Sequence, residues 1–309
     1  MKNLIISGLL VAGISLSSFA QKDSTITVNV PADSITFAIV GDFGENSKEE
    51  GAVADMIKAW PIDFIITMGD NNYFLGARKS LKKNIGKYYG DYIYNPDAPL
   101  MLRCDGKATR DKTNRFFPAP GNHDHYSRHM KPYYEYFTLP GDESNYTFTW
   151  GPVQFFSMNS RSDGRVDCYD SPESKWLKQG LAASTAPFKF IYFHHPPYSP
   201  GDHGSATHLQ WPYAQWGASA VLAGHEHFYA RIQDMTTPEL LYLISGNGGN
   251  TKLYNCNANP LDSTRFKVKC DGKNFGAVKV KVNKDVAVFE YYITNDPSHP
   301  TDTYILHRH

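Results

Sequence analysis

The sequence predicts an α/β fold in which two packed β-sheets are flanked by helices. Short apolar runs rich in β-branched and aromatic residues recur along the chain, and helical segments lie between them. The part beyond residue 240 consists mainly of strand-like runs. Such runs are typical of buried strands. Strands separated by helices and followed by a strand-rich end favour two sheets within one domain.

The first predicted strands lead into polar residues. We interpret five apolar runs as strands, and several continue directly into glycine followed by Asp, Asn or His; the runs are 35–40, 64–68, 116–120, 190–193 and 220–223. In open α/β sheets, ligands bind just beyond the carboxyl ends of the strands. The polar residues that follow these runs are therefore candidate site residues.

The predicted helices and the terminal strands have signals of their own. Residues 47–60 form a predicted helix with Ser47 as N-cap, and residues 171–183 form another that opens with a serine cap and Pro172. Three later runs are predicted strands, at 240–244, 276–282 and 286–293, and a hairpin through residues 283–285 joins the last two.

Composition limits the function classes. Lys plus Arg and Asp plus Glu both number 31, so the formal net charge is zero, which argues against a nucleic-acid or anionic-membrane binder. We therefore expect the tyrosine-rich stretches at 88–94 and 133–137 to pack in the interior rather than to stack on bases. A small anionic substrate remains compatible with a neutral chain, because a metal centre supplies positive charge locally.

The first twenty residues have the pattern of an export signal. Lys2, an apolar run at 4–11 and small residues at Ser18 and Ala20 predict a secretory signal peptide over 1–20, which leaves 21–309 as a single domain in the periplasm or outside the cell. Four cysteines in an exported chain suggest disulfides and allow three pairings. We favour Cys256–Cys270, which flank one loop, and then Cys104–Cys168 by elimination.

Five short motifs carry the candidate chemistry. They read Gly-Asp-Phe-Gly at 41–44, Gly-Asp-Asn-Asn-Tyr at 69–73, Gly-Asn-His-Asp at 121–124, Phe-His-His-Pro-Pro at 193–197 and Gly-His-Glu-His at 224–227. Each motif alone is weak, because Gly-Asp after a strand is usually a turn. All five occur in order at predicted strand ends. Their carboxylate, amide, phenol and imidazole groups suit iron, zinc or manganese.

These motifs resemble those of the calcineurin-like metallophosphoesterase superfamily, and more narrowly the small, tartrate-resistant type of purple acid phosphatase. The resemblance covers roughly residues 36–250 and implies a sandwich of two mixed β-sheets flanked by helices. It implies that Asp42, Tyr73 and His227 bind Fe³⁺ and that Asp70 bridges to a divalent Fe²⁺, Zn²⁺ or Mn²⁺. The ligands implied for the divalent ion are Asn122, His194 and His225.

The resemblance also implies a reaction. A metal-bound hydroxide would attack the phosphorus of a small phosphate monoester, and a general acid would protonate the leaving group. His123 and His203 are the two candidate acids, with Asp124 as a partner that orients His123. The adjacent pair His194 and His195 leaves the ligand register open by one residue, and we choose His194.

Other functions stay open at this point. A phosphodiesterase or nucleotidase of the same superfamily is the alternative, and a non-catalytic metal- or phosphate-binding protein is a third possibility. We expect a small phosphate ester as the partner, and neither nucleic acid nor a membrane.

Overall fold

The computed structural model describes residues 26–28, 34–96, 113–160 and 169–308. Its strands are β1 (Ile26–Val28), β2 (Ser34–Val40), β3 (Phe64–Thr67), β4 (Phe116–Pro118), β5 (Tyr146–Trp150), β6 (Val153–Ser157), β7 (Phe188–Tyr192), β8 (Ala220–Ala223), β9 (Tyr229–Asp234), β10 (Leu241–Ser245), β11 (Phe266–Asp271), β12 (Gly276–Asn283), β13 (Val286–Ile293) and β14 (Asp302–His307). Its α-helices are α1 (Lys48–Lys58), α2 (Arg78–Leu81), α3 (Lys87–Tyr89), α4 (Asn122–His125), α5 (Lys131–Tyr136) and α6 (Pro172–Ala183). A π-helical turn spans Lys82–Gly86, and 3₁₀ turns span Arg128–Met130 and Thr207–Leu209.

The strands form two mixed sheets. The eight-stranded sheet has the order β1-β5-β6-β7-β8-β10-β9-β11, and the six-stranded sheet has the order β14-β13-β12-β2-β3-β4. Strands β2, β3 and β4 are parallel, whereas β12, β13 and β14 pair antiparallel. In the larger sheet β6, β7, β8 and β10 are parallel, and β9 pairs antiparallel with both β10 and β11. The predicted α/β class with two mixed sheets is confirmed.

The main core lies between the sheets. The Phe37 ring of β2 packs edge to face on Phe155 of β6 at 5.2 Å, and Phe64 of β3 lies 4.6 Å from Trp150 of β5. A second cluster covers the other side of the eight-stranded sheet, where Leu177 of α6 packs with residues of β6 and β7. The core between the sheets holds them face to face, so the ends of both sheets meet at one edge.

Most predicted elements are confirmed within one or two residues. Helix α1 has Ser47 as its N-cap, whose hydroxyl accepts the Glu50 N–H, and helix α6 starts at Pro172 behind the Ser171 cap. The hairpin between β12 and β13 is present, and the Asn283 side chain accepts the N–H groups of Asp285 and Val286 in its turn. Sequence reasoning did not name β1, β6, β9, β11 and β14 as strands.

The cysteines and the tyrosine-rich stretches were also subjects of prediction. Cys256 and Cys270 form the expected disulfide, while Cys104 and Cys168 lie outside the described residues, as does the predicted signal peptide. The tyrosine-rich stretches pack in the core as expected, with Tyr89 and Tyr136 fully buried. Within the described ranges, none of the helices combines the length and apolar character that crossing a membrane requires. The single-domain interpretation stays a prediction.

Candidate metal centre

The candidate ligands converge where the parallel strands of both sheets end. Asp42 and Asp70 follow β2 and β3, and Asn122 follows β4, all in the six-stranded sheet. His194 follows β7, and His225 and His227 follow β8, in the other sheet. Residues from two sheets therefore face each other across one edge.

One group of donors surrounds the Tyr73 hydroxyl. Its oxygen lies 3.2 Å from Asp42 Oδ1, 3.1 Å from Asp70 Oδ2 and 3.1 Å from His227 Nε2. His227 Nε2 is also 3.5 Å from Asp42 Oδ1. Carboxylate, phenol and imidazole thus meet within the reach of a single ion.

A second group surrounds His194. Its Nε2 lies 2.9 Å from Asn122 Oδ1 and 3.2 Å from His225 Nδ1. The same Nε2 is 3.3 Å from Asp70 Oδ2. Asp70 Oδ2 is therefore common to both groups, since it also lies beside the Tyr73 hydroxyl.

The backs of the imidazoles are held by main-chain carbonyls. His194 Nδ1 lies 2.8 Å from the Met68 carbonyl, and His227 Nδ1 lies 2.6 Å from the Lys252 carbonyl. Because a carbonyl only accepts, both Nδ1 atoms carry a hydrogen, and each Nε2 is the ring nitrogen that faces the centre and is available to a metal ion. His225 faces the centre with Nδ1 instead.

The electrostatics of the site favour positive charge, because two carboxylates are buried together. Asp42 and Asp70 are buried. Burial alone would lower the pKa of His194, but the carboxylates of Asp70 and Asp42 raise it to about 9. Burial and the same two carboxylates raise the pKa of Tyr73 well above its usual value. Both shifts have the same cause, the negative charge of Asp42 and Asp70, which a bound cation would balance.

The backbone at the ligands is unusual. Asp42, Asp70 and His225 have positive φ angles of 54°, 51° and 69°. The left-handed region is disfavoured for residues other than glycine, and such strain concentrates at functional sites. The backbone turns sharply after each strand and directs the side chain back over the strand ends.

Close approach also requires glycine beside the ligands. A Cβ on Gly121 would lie 2.2 Å from both the main-chain nitrogen and Oδ1 of Asp70. A Cβ on Gly224 would lie 2.5 Å from Asp42 Oδ2. Neither position has room for a side chain, because the neighbouring atoms are themselves the backbone or ligand groups.

His123, the first candidate acid, lies against the first group. Its Nδ1 is 2.7 Å from the Phe74 carbonyl, so Nδ1 carries a hydrogen, and its Nε2 is 3.9 Å from Asp70 Oδ2. Its ring lies 4.3 Å from the Tyr73 ring. The Nε2 of this half-buried ring therefore faces the centre.

His203, the second candidate acid, lies against the other group. Its ring stacks on His225 at 4.4 Å and packs edge to face on Tyr254 at 5.0 Å. The pKa of His203 is lowered, first by burial and second by the positive charge of the nearby His227. The two candidate acids therefore lie on different sides of the cluster: His123 is beside Tyr73, and His203 is beside His225.

The structure corrects one expected contact. Asp124 Oδ2 accepts the Gly121 N–H at 2.9 Å, the Asn71 side-chain N–H at 2.9 Å and the Asn71 main-chain N–H at 3.2 Å. The His123 ring bonds the Phe74 carbonyl, so Asp124 does not orient it within the described structure. Successive side chains on helix α4 diverge by about 100°, which directs Asp124 back onto the helix start. Asp124 fastens the Asp70 loop to the Asn122 loop.

The structure also distinguishes the adjacent histidines. His194 is buried and touches Asn122 and Asp70, whereas His195 Nδ1 lies 2.9 Å from the Ser160 hydroxyl. A ring nitrogen of His195 nevertheless lies within 4.8 Å of ring nitrogens of His194 and His225, so these three form a second possible ligand group.

Sequence reasoning missed Glu226. Its buried Oε1 accepts the Ser199 hydroxyl at 2.8 Å and the N–H groups of His203 and Gly204 at 3.0 and 3.1 Å. Its Oε2 has no hydrogen-bond partner among the described residues. Burial raises its pKa. Its position between two candidate ligands was visible in the sequence, but its anchoring of the loop with His203 was not.

The spacing and the types of the donor atoms fit metal ions. Donors that each lie about 2.1 Å from one ion at right angles are separated by about 3 Å. The donor atoms described above are separated by 2.9–3.5 Å. One ligand atom each from Asp42, Asp70 and His194 also lies within 4.8 Å of the other two. The mixture of hard oxygen and imidazole donors suits first-row metals.

Comparisons with known proteins agree with this chemistry. A family model described as calcineurin-like phosphoesterase matches residues 35–229. Tartrate-resistant acid phosphatase type 5 of Rattus norvegicus is 27% identical over 262 residues, covering 71% of this chain and 73% of the relative. Purple acid phosphatase 7 of Arabidopsis thaliana is 25% identical over 295 residues, covering 84% and 82%.

Solved structures share the fold. Purple acid phosphatase PPD1 from yellow lupin (Lupinus luteus) seeds matches with a TM-score of 0.67 and 16% identity over 89% of this chain and 54% of that chain. This chain therefore spans about half the length of the lupin protein. GAP50, the anchor in the inner membrane complex of Plasmodium, matches with a TM-score of 0.64 and 15% identity over 89% of both chains.

The resemblance inferred from the five motifs is thus confirmed at the level of the superfamily and its acid phosphatase relatives. The matched region contains every candidate ligand from Asp42 to His227. The chain belongs to the calcineurin-like phosphoesterase family.

Proposed function

We propose that this chain is an exported acid phosphatase that hydrolyses phosphate monoesters at a dinuclear metal centre. The observation that carries the proposal is the position of Asp70 Oδ2 between two donor groups, 3.1 Å from the Tyr73 hydroxyl and 3.3 Å from His194 Nε2. A carboxylate shared by two sets of donors suits a pair of ions rather than one. The relatives named as acid phosphatases support the class of reaction.

Each donor group suits a different ion. Asp42, Tyr73 and His227 would hold Fe³⁺, because two of the three are anionic when a cation is bound. The other three would hold a divalent ion, because they are neutral: Asn122, His194 and His225. Two ions bound by these donors would act as Lewis acids in phosphoester hydrolysis.

The protein's own groups would complete the reaction. His123 Nε2 faces the centre while its Nδ1–H is held by the Phe74 carbonyl, so in the imidazolium form it has one proton to give to the leaving oxygen. His203 borders His225 and would contact the phosphate from the other side. Asp124 would keep the two ligand loops in register and take no part in proton transfer.

A kinetic comparison tests the reaction. We expect the purified protein to hydrolyse 4-nitrophenyl phosphate at least about tenfold more efficiently than bis(4-nitrophenyl) phosphate. A preference for the diester would favour a phosphodiesterase, and no turnover of either ester with saturating metals would favour a non-catalytic binder.

A substitution tests the centre. Asp70→Asn keeps the shape of the side chain and removes its charge, and we expect kcat to fall at least about 100-fold, because losing even a group that only supports a ligand costs about 10–100-fold. Asp142→Asn, in an exposed turn, is the matched control. Full activity in Asp70→Asn would refute the dinuclear assignment.

Export is a separate part of the proposal. It rests on the pattern of residues 1–20, which lie outside the described structure. Amino-terminal sequencing of protein purified from its native host should begin at Gln21. A mature chain that retains Met1 in the cytoplasm would refute export.

A further inference from the structure

Exposed apolar side chains are concentrated beside His123. The described residues include seven exposed large hydrophobic side chains, and two of them, Phe74 and Tyr126, contact this histidine and are exposed by 60% and 53%. A third, Leu75, follows Phe74 in the chain and is 64% exposed. We call these three residues the apolar rim. Single exposed apolar side chains are ordinary, whereas a cluster marks a surface that binds something.

The apolar rim is held firmly against His123. The Phe74 and Tyr126 rings pack edge to face on the His123 ring at 6.2 and 5.0 Å. The Phe74 carbonyl accepts the His123 Nδ1–H. Just beyond Leu75, the backbone at Gly76 lies so close to the His123 carbonyl that a Cβ there would be 2.8 Å from it. The rim and the candidate acid therefore form one surface.

The position of His123 determines what this surface would meet. The acid of a phosphoester hydrolysis gives its proton to the oxygen that joins phosphorus to the alcohol. The carbon attached to that oxygen then lies beside the acid, and the rest of the alcohol extends away from the phosphate. The groups that flank His123 on its exposed side are the Phe74 and Tyr126 rings of the apolar rim.

We propose that the apolar rim binds the alcohol portion of the substrate and selects phosphate monoesters of apolar, preferably aromatic, alcohols. This inference rests on the proposed function and on His123 as the acid. Edge-to-face contact with Phe74 and burial of apolar surface would stabilise an aromatic group. A sugar or another strongly hydrated alcohol would gain little from the same surface.

Two substrates isolate this contribution. Propyl phosphate and 3-phenylpropyl phosphate have the same reacting group and alcohols of nearly equal acidity, and they differ in one phenyl ring. We expect kcat/KM to be about tenfold higher for 3-phenylpropyl phosphate, which corresponds to about 1.4 kcal/mol. Equal values for the two substrates would overturn the proposal.

Variants locate the preference. Phe74→Ser and Leu75→Ser should each reduce the ratio of the two kcat/KM values about threefold, while Phe74→Leu should retain most of it. Any general loss of activity cancels in this ratio. Ile305→Ser is the matched control, because Ile305 is 51% exposed on β14, at the far edge of the six-stranded sheet. A ratio that drops equally in Ile305→Ser, or in none of the variants, would refute the assignment.

A binding measurement separates this inference from the proposed function. Propylphosphonate and 3-phenylpropylphosphonate cannot be hydrolysed, and calorimetry measures their affinities directly. Tighter binding of the phenyl compound that weakens in Leu75→Ser supports the rim even if hydrolysis of monoesters is not found. Dimerisation of the wild type that is lost in Leu75→Ser by sedimentation would instead assign the surface to a second copy of the chain and overturn the proposal.

Discussion

Substitution of Asp124 by alanine distinguishes two roles for this buried carboxylate. Its Oδ2 accepts three N–H groups, one from Gly121 and two from Asn71, at 2.9–3.2 Å. Each intramolecular hydrogen bond contributes about 0.5–1.5 kcal/mol, and the buried donors lose their acceptor in Asp124→Ala. We therefore expect the variant to lose about 3 kcal/mol of stability.

The assay is thermal unfolding of metal-free protein, with metal content and kinetics measured on the loaded protein. A loss of this size lowers the melting temperature by about 5–10 °C in a chain of this length. The matched control is Asp142→Ala, because the Asp142 side chain accepts the Ser144 and Asn145 N–H groups in an exposed turn where water can replace it. That control should change the melting temperature by about 2 °C or less.

The opposite pattern would refute the reasoning. If Asp124→Ala melts with the control and keeps its metals, but has a reduced kcat, then Asp124 acts on the His123 ring after all. Loss of stability together with loss of bound metal supports its role in fastening the Asp70 and Asn122 loops.

Three further predictions address other parts of the site. Tyr73→Phe should remove the visible absorption band of the iron-loaded protein, since the tyrosinate would be the chromophore, and a band that persists would contradict iron binding by Tyr73. Gly121→Ala should lose bound metal or soluble yield, because its Cβ would overlap Asp70, whereas Gly51→Ala in helix α1, with its nearest neighbour at 3.5 Å, should fold normally. Glu226→Ala should raise KM several-fold by freeing the loop that it anchors, and Glu226→Gln, which keeps an acceptor oxygen, should do so less; the reverse order of KM values would count against anchoring.

The sequence predicted the fold class and the set of candidate ligands because both depend on local patterns. Apolar runs identify buried strands, and the residue after a strand end is fixed in place by chain connectivity alone. Among the strands that were missed, β11 lies at the edge of the eight-stranded sheet. In β11 only Phe266 is buried, so its sequence lacks a strong apolar run.

Some contacts of the site had no local signal. These contacts are hydrogen bonds between residues of different loops. The Lys252 carbonyl accepts from His227, and the Asn71 amide donates to Asp124. Glu226 accepts hydrogen bonds from the loop at 199–204. Side-chain direction at α4 separated Asp124 from the neighbouring His123, although adjacency in the sequence had suggested a pair.

The sequence by itself determined which chemical groups lie at the strand ends, and hence the class of chemistry. Only the tertiary structure decided how those groups combine: Asp70 between the Tyr73 and His194 groups, His194 rather than His195 beside Asn122, and an apolar rim around His123. The physical reason is that donor type is a property of each residue, whereas a distance of about 3 Å between donors depends on packing two sheets against each other.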